Sequence, residues 1–554
     1  MLKDGKIWMA NNDKGENLFI LPKMANRHGL VAGATGTGKT ITLKVMAETF
    51  SEMGVPVFMA DVKGDIAGMM CPGIDTEDMQ KRIEKFGLAE AGFSYQGCPV
   101  TLWDIFGQKG IQLRTTISEI GPLLLARILE LNELQSALLN IIFKIADDNG
   151  LLLIDTKDLK ACINYVQEHR PDFEADYGKM SAASLSAITR ALVALELAGG
   201  DVFFGEPALN IHDWMTQDMG RGMINILDSE SLINNGKLYS TFLLWMLSEL
   251  FETLPEVGDM PKPKMVFFFD EAHLLFDGAS KSLLDKIEQV VKLIRSKGVG
   301  VYFCTQNPRD IPDGVLAQLG NKIQHGLRAY TPAEQRAIKA AASSFRENPA
   351  FNTVEVIQSL GTGKALVSFL GEDGVPGIAQ KASILPPRCS MSGIDDAQRD
   401  QCIKASLLYG KYAESYDSDS AYEFLMRHGE KEAAEKAKAA EEAAAAKAEA
   451  AEKAAAAKEE ARLAKERAKE EARLAKEQAK EEARLQKEAE KEAKAAERAK
   501  QQAIKSVGNS VLGTVGRAVG KTLGASAGGT FGKTLGGNLG ASLARGIFGT
   551  FFKG

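Results

Sequence analysis

Large apolar side chains fall into short, punctuated runs up to about residue 425 and then almost disappear until about 505. An apolar alternation at 6–10 and 18–21, on either side of a polar turn, predicts a short hairpin. Residues 28–32 read as a buried strand that leads into a glycine-rich loop, 41–53 as the helix behind it, and 55–60 as a second strand ending at Asp61. Strand, loop, helix, strand is how an α/β sheet begins. Between 70 and 260 the period changes to that of helices, most clearly over 123–146, 182–197 and 239–254, and predicts a largely helical insertion packed against the sheet. The run 264–269 is continuously apolar, too short for a bilayer and preceded by Pro261 and Pro263, as expected of a central parallel strand. A helix at 283–296 and strands at 300–305, 322–329 and 365–370 complete the first part of the chain. The expected division is 1–69 with 261–425 as an α/β core, 70–260 as the insertion, 426–505 as one long helix and 506–554 as a tail.

Charge sharpens that division. Residues 1–426 carry 41 basic and 54 acidic side chains, whereas 427–554 carry 26 and 19. An acidic first part does not look like a surface coated for nucleic acid, although a basic lining inside an assembly is compatible with it. The segment 427–505 is almost wholly Ala, Glu, Lys and Arg, strong helix formers whose opposite charges recur three and four residues apart. Within it, Glu-Glu-Ala-Arg-Leu recurs at 459–463, 470–474 and 481–485. A period of eleven permits a right-handed coiled coil, while one leucine per repeat is also compatible with a solvated single helix. In the tail, Gly516, Gly520, Gly524, Gly528, Gly532, Gly536 and Gly540 keep a strict spacing of four, and 506–554 contains no acid. Two readings stand for it: a flexible low-complexity segment, or an element for self-association or peripheral membrane contact.

The six cysteines form no CxxC pair or Cys/His group, which argues against a zinc ribbon or a secreted disulfide scaffold. The first residues lack the apolar run of a signal peptide, so a cytoplasmic setting is the expectation.

The chemistry concentrates in two places. Gly33, Ala34, Thr35, Gly36, Thr37, Gly38, Lys39 and Thr40 complete the G-x-x-x-x-G-K-T pattern between a strand and a helix. Loop amides at a helix start can cradle phosphates, Lys39 can reach the β- and γ-phosphates of ATP, and Thr40 can ligate Mg²⁺. Asp270 and Glu271 follow the apolar strand at 264–269, which brings them to the sheet edge where the loop emerges. There Asp270 can hold Mg²⁺ and Glu271 can polarise the attacking water, a carboxylate that mere binding does not need. Gln306, after the next strand, can contact both γ-phosphate and water. Arg295, near the end of the preceding helix, is a candidate finger for a neighbouring copy's site. Asp61 can orient the Mg²⁺ shell or His28, or simply cap the following turn, and Arg328 is a candidate phosphate or interface contact. The sequence 361–364, Gly-Thr-Gly-Lys, reads as a hairpin turn and not as a second phosphate loop.

These pieces resemble the HerA/FtsK group of ATPases, and most closely its HerA-like proteins of the bacterial YjgR type. The likeness is carried by 28–40, by 61–65 (Asp-Val-Lys-Gly-Asp), by 268–273 (Phe-Phe-Asp-Glu-Ala-His), by 295–300 (Arg-Ser-Lys-Gly-Val-Gly), by 305–308 (Thr-Gln-Asn-Pro) and by 327–332 (Leu-Arg-Ala-Tyr-Thr-Pro). The resemblance implies a RecA-like P-loop NTPase core, a homo-oligomer in the form of a hexameric ring, hydrolysis between subunits, and translocation on double-stranded DNA. It places Arg295 on the finger position and Gln306 on the sensor. A second function stays open beside it: a nucleotide-gated assembly or membrane-associated scaffold protein that does not translocate DNA.

Overall fold

The strand Gly29–Ala32 is buried along its whole length, and that determines its place in the sheet. In a computed structural model it lies in a 13-stranded sheet, with residues 1–501 described except 198, 233–235 and 280. Its neighbours are Val299–Thr305 on one side and Asn321–His325 on the other, both parallel to it. Beyond Val299–Thr305 come Met265–Phe269, Val57–Asp61, Ile224–Asp228 and Val100–Asp104, again all parallel. Beyond Asn321–His325 the sheet turns antiparallel through Lys364–Ser368, Gln380–Ile384 and Lys6–Asn12.

The central strands are apolar on both faces because both faces are covered, as parallel sheets require. Val31, Met59, Phe268 and Tyr302 pack to one side with Val45, Met46 and Phe50 of the helix Lys39–Glu52. Phe58, Phe267, Phe269 and Phe303 point to the other side. There they meet residues of the helices Ile117–Ile128, Glu133–Asp148, Gly236–Thr253 and Lys281–Ile294. Alternate residues of one strand thus feed two cores, and every parallel strand ends its chain direction at the same edge.

Two sequence expectations meet differences. The segment 70–260 is rich in helices, but it also supplies Val100–Asp104 and Ile224–Asp228 to the parallel sheet. Each of these strands is only five residues long. Runs that short carry little periodic signal between long helices. The helical run at 123–146 divides into Ile117–Ile128 and Glu133–Asp148, because Asn132 accepts from the Gln135 amide and Gln135 returns the bond, a capping box that starts a new helix.

The chain separates into two units, Met1–Ala439 and Ala440–Gly554. The helix Ala421–Gln501 begins in the first of these. In the second, the side chains described up to 494 are all exposed, and Leu463, Leu474 and Leu485 are 45%, 51% and 60% accessible. The glycine-spaced tail lies outside the described residues. Among the described residues no single helix is long and apolar enough to cross a membrane; only the bent pair Arg170–Tyr177 and Ala182–Leu197 meets that length and composition together.

Candidate nucleotide site

Three strand ends build the site. The Gly33 amide donates to the Thr305 carbonyl at 3.2 Å and the Ala272 amide to the Cys304 carbonyl at 2.9 Å. These bonds tie the loop after Gly29–Ala32 and the acidic turn after Met265–Phe269 to the strand between them. Gln306, the next residue of that middle strand, therefore stands between loop and acids.

The loop needs its glycines. Gly33 has φ +155°, and a Cβ there would lie 2.5 Å from the Cβ of His325. Gly38, in a left-handed conformation, opens the helix Lys39–Glu52 without any side-chain cap, so the first helical amides keep their donors for an anion. Lys39 is buried, and its ammonium donates to the loop's own Gly33 and Ala34 carbonyls at 2.6 and 3.3 Å. Thr40, the second residue of the helix, is half-buried beside it.

Asp270 and Glu271 turn apart at once. Glu271 has φ +47°, a left-handed conformation that costs a non-glycine residue about 1 kcal/mol or more. Asp270 accepts the Glu271 amide at 2.9 Å and the Cys304 thiol. Burial first, then the adjacent Glu271 charge, raise its carboxyl above the usual range. Glu271, also buried, receives the Gln306 Nε2 amide on both oxygens at 3.1 and 3.4 Å, with His273 Nδ1 3.4 Å away. Gln306 Oε1 in turn accepts from Thr35 Oγ1 at 3.3 Å. A line of side chains thus connects the phosphate loop to the acid.

The other expected residues divide. Both Asp61 oxygens accept from its own loop: Lys63 and Gly64 amides at 3.2 and 2.7 Å on one, Ile66 and Ala67 amides at 2.9 and 3.1 Å on the other. Burial and Asp65 push its carboxyl up to about 6 against the pull of those amides. Arg295 is exposed on a 3₁₀ turn just before Val299–Thr305, at the opposite end of that strand from the loop, so the structure does not bring it to the site of its own chain.

Two supports escaped the sequence reading. His325 Nδ1 faces the Lys364 carbonyl at 3.1 Å, so it carries the proton, and Nε2 accepts from Thr42 Oγ1 at 2.8 Å. Burial, aided by the Lys39 charge, lowers this imidazole to about 4 and keeps it neutral under the loop. The turn at 361–364, which joins the helix Thr353–Ser359 to the strand Lys364–Ser368 and is therefore not the expected hairpin, also braces the loop, the Gly363 amide donating to the Thr37 carbonyl at 3.1 Å. The polar His325 at the end of a buried strand was the available signal; the turn had none, since its contact is made by backbone alone.

ATP and Mg²⁺ fit these residues. Uncapped amides, three glycines with positive φ and a lysine whose bonds, among the described residues, go to carbonyls suit a polyphosphate. The Thr40 hydroxyl and the buried Asp270 carboxylate are oxygen donors of the kind Mg²⁺ takes. Among the described residues no group of three or more His, Cys, Asp or Glu could hold a metal by itself.

A strand, phosphate loop and helix with an acidic turn two strands away define a P-loop nucleotide-binding protein of mixed α/β fold. More narrowly, the chain belongs to the HerA-like family: the family described as helicase HerA-like C-terminal matches residues 6–534. It is similar to a probable helicase of Methanocaldococcus jannaschii, 28% identical over 27% of this chain and 29% of that one. It is also similar to the DNA double-strand break repair helicase HerA of Sulfurisphaera tokodaii, 22% identical over 62% of each chain. The chain thus spans less than two thirds of the length of these relatives. Among solved structures, the bacterial conjugative coupling protein TrwB aligns at 15% identity over 68% of this chain and 90% of that one, with a TM-score of 0.47.

Proposed function

We propose that the chain is a Mg²⁺-dependent ATPase of the YjgR-type branch, acting as a homo-oligomer, and that a hexameric ring of it moves or remodels double-stranded DNA. The observation that carries hydrolysis is the line from Thr35 through Gln306 to Glu271. A loop that only binds nucleotide has no use for a buried carboxylate held by an amide that also touches the loop.

In this reading the amides of 33–40 and Lys39 hold the triphosphate, and Thr40 with Asp270 holds the ion. Mg²⁺, when bound, offsets phosphate charge and polarises the γ-phosphoryl group. A Glu271 oxygen accepts the proton of the attacking water, and the Gln306 amide orients that water. Asp61 shapes the neighbouring loop, and Arg295 completes the site of another copy. We divide the chain into an ATPase core (1–69 and 261–425), an insertion (70–260), the long helix (426–505) and the tail (506–554). The DNA part rests on the DNA double-strand break repair helicase among the relatives.

The test is ATP turnover with and without duplex DNA, on material whose mass is measured in the same buffer. Lys39→Ala abolishes turnover if the loop works as described. Absence of stimulation at low salt, where phosphate contacts are strongest, removes the DNA part and leaves the ATPase.

A second reading is a nucleotide-gated scaffold, coiled-coil or membrane-bound, favoured by the exposed side chains of 440–492, its leucines among them. It predicts that nucleotide changes assembly or vesicle binding and that deleting 506–554 removes the response; unchanged partitioning argues against it.

A further inference from the structure

Next to the phosphate loop lies an open groove of about 530 Å³, lined by Thr35 and Gln306 of the nucleotide site and by residues to which the nucleotide chemistry gives no role. The apolar Leu327 and Ile338 contribute to its lining, and so do Arg309 and Arg328. Both arginines are exposed, and among the described residues neither guanidinium has a hydrogen-bond or ion-pair partner. Two acids share the groove, each bonded to neutral donors. Asp310 accepts from Thr305 Oγ1 at 3.3 Å and from Asn307 Nδ2 at 3.2 Å. Glu334 Oε2 accepts from the amides of Tyr330 and Thr331, both at 2.8 Å, and from Thr331 Oγ1 at 3.0 Å; these bonds hold its carboxyl below the usual range. The acids keep their charge but are held by neutral donors, whereas the two guanidiniums are the charged groups of the groove that, among the described residues, stay without a partner. Tyr330, two residues beyond Arg328, is 81% exposed. An exposed aromatic ring two residues from an unpaired arginine is a combination that nucleic-acid surfaces use for a base or sugar next to its phosphates.

We propose that this groove is a second anion site, that it takes the phosphodiester backbone of a nucleic acid on Arg309 and Arg328, and that Gln306 reports its occupancy to Glu271. Gln306 is the only described side chain that both lines the groove and donates to Glu271. A backbone drawn onto Arg309 shifts the short 3₁₀ turn Pro308–Asp310, which follows Gln306 by one residue, and loosens the amide from the acid. Hydrolysis and polymer engagement then share one side chain. This inference rests on the DNA reading above and adds to it where the polymer sits and how it is sensed.

The experiment compares the full-length wild type with the double variant Arg309→Gln/Arg328→Gln and with Arg309→Lys/Arg328→Lys. Binding of a labelled duplex and of a labelled single strand is titrated over a range of salt, with inorganic polyphosphate as competitor, and melting temperature checks folding. The glutamine pair is expected to bind about tenfold more weakly or worse, with the slope of log affinity against log salt reduced by about 2. The lysine pair recovers most of both, and duplex stimulation of turnover falls together with binding. If the wild type binds duplex and is stimulated by it while the glutamine pair keeps the same affinity and slope, the groove is not the site, and the DNA reading survives. If the wild type binds neither oligonucleotide at low salt, that reading and this inference fall together. Tight capture of polyphosphate without either oligonucleotide also overturns the inference, since the anion is then not a phosphodiester.

Discussion

On one half of the sheet's carboxyl edge, the strands Val57–Asp61, Ile224–Asp228 and Val100–Asp104 each end in an aspartate, with Asp228 aligned between Asp61 and Asp104. On the other half, Met265–Phe269 is also followed by an aspartate, Asp270. The residue type and its place are the same, but the bonding differs. Asp61 accepts four amides of its own loop. Asp104 accepts those of Phe106, Gln108 and Lys109 at 3.0, 2.7 and 2.9 Å. Asp228 faces Arg399 at 3.4 Å. Asp270 has one amide and a weak thiol donor, and Lys39 across the edge has only carbonyls. An acid at a strand end is thus no site by itself. In this molecule the candidate chemistry sits where bonding is left incomplete, and the rest of the edge uses the same side chains to shape loops.

The largest expected effect tests whether the incomplete half does the chemistry. Glu271→Gln keeps size and buried position but cannot take a proton, so turnover should fall about a hundredfold or more with melting unchanged. If turnover stays near wild type, the line from Thr35 to Glu271 is structural and the comparison loses its functional half.

Acid should weaken the support under that half. His325 is held near pKa 4 in the folded chain, against about 6.5 when unfolded. Above pH 6.5 both states are neutral. Between 6.5 and 4 only the unfolded chain takes up the proton, so stability is full above 6.5 and falls as the pH drops. At about 1.4 kcal/mol per unit the loss approaches about 3 kcal/mol by pH 4. Melting curves from pH 7.5 to 4.5 measure it. His325→Gln should flatten the decline, though not completely, because buried His28, also near 4, contributes with the same sign.

The two halves should also respond oppositely to loss of an aspartate. Asp61→Ala leaves the amides at 63, 64, 66 and 67 without their acceptor and should cost about 2 kcal/mol or more. Asp270→Ala removes a buried carboxylate whose ionised form the site disfavours, so stability should hold or rise while turnover is lost. Equal destabilisation by both would erase the distinction.

Much of the candidate site's half of the edge could be located from the sequence, because its signals are local. The phosphate loop is contiguous, and Asp270, Glu271 and Gln306 each follow a strongly apolar strand. The fold around it was less legible. Val100–Asp104 and Ile224–Asp228 are five-residue strands separated by helices, and nothing in either run says that the two pair with each other. Asp61 shows the same limit at a single residue: the letters permit ligand or cap, and the four amides become visible only once the chain turns back on itself. His325 and Gly363 brace the loop from more than 280 positions away, through a packing contact and a backbone bond that leave no sequence pattern.

The smallest effect concerns Arg399, which pairs with Asp228 at 3.4 Å with both side chains nearly buried. Arg399→Ala also removes the bond to the Lys109 carbonyl at 3.0 Å. Burial already raises the Asp228 carboxyl, and Lys109 stays close enough to favour its charge, so the acid can answer by holding a proton. Below its folded pKa Asp228 is neutral and the substitution costs little; above it the ionised acid misses its partner. The difference in melting between variant and wild type should therefore grow as the pH rises through the folded pKa of Asp228, to about 1 kcal/mol. Turnover per folded molecule should not change. If turnover collapses while melting holds, Asp228 belongs with Asp270, and the boundary between the two halves lies further along the edge than the hydrogen bonds place it.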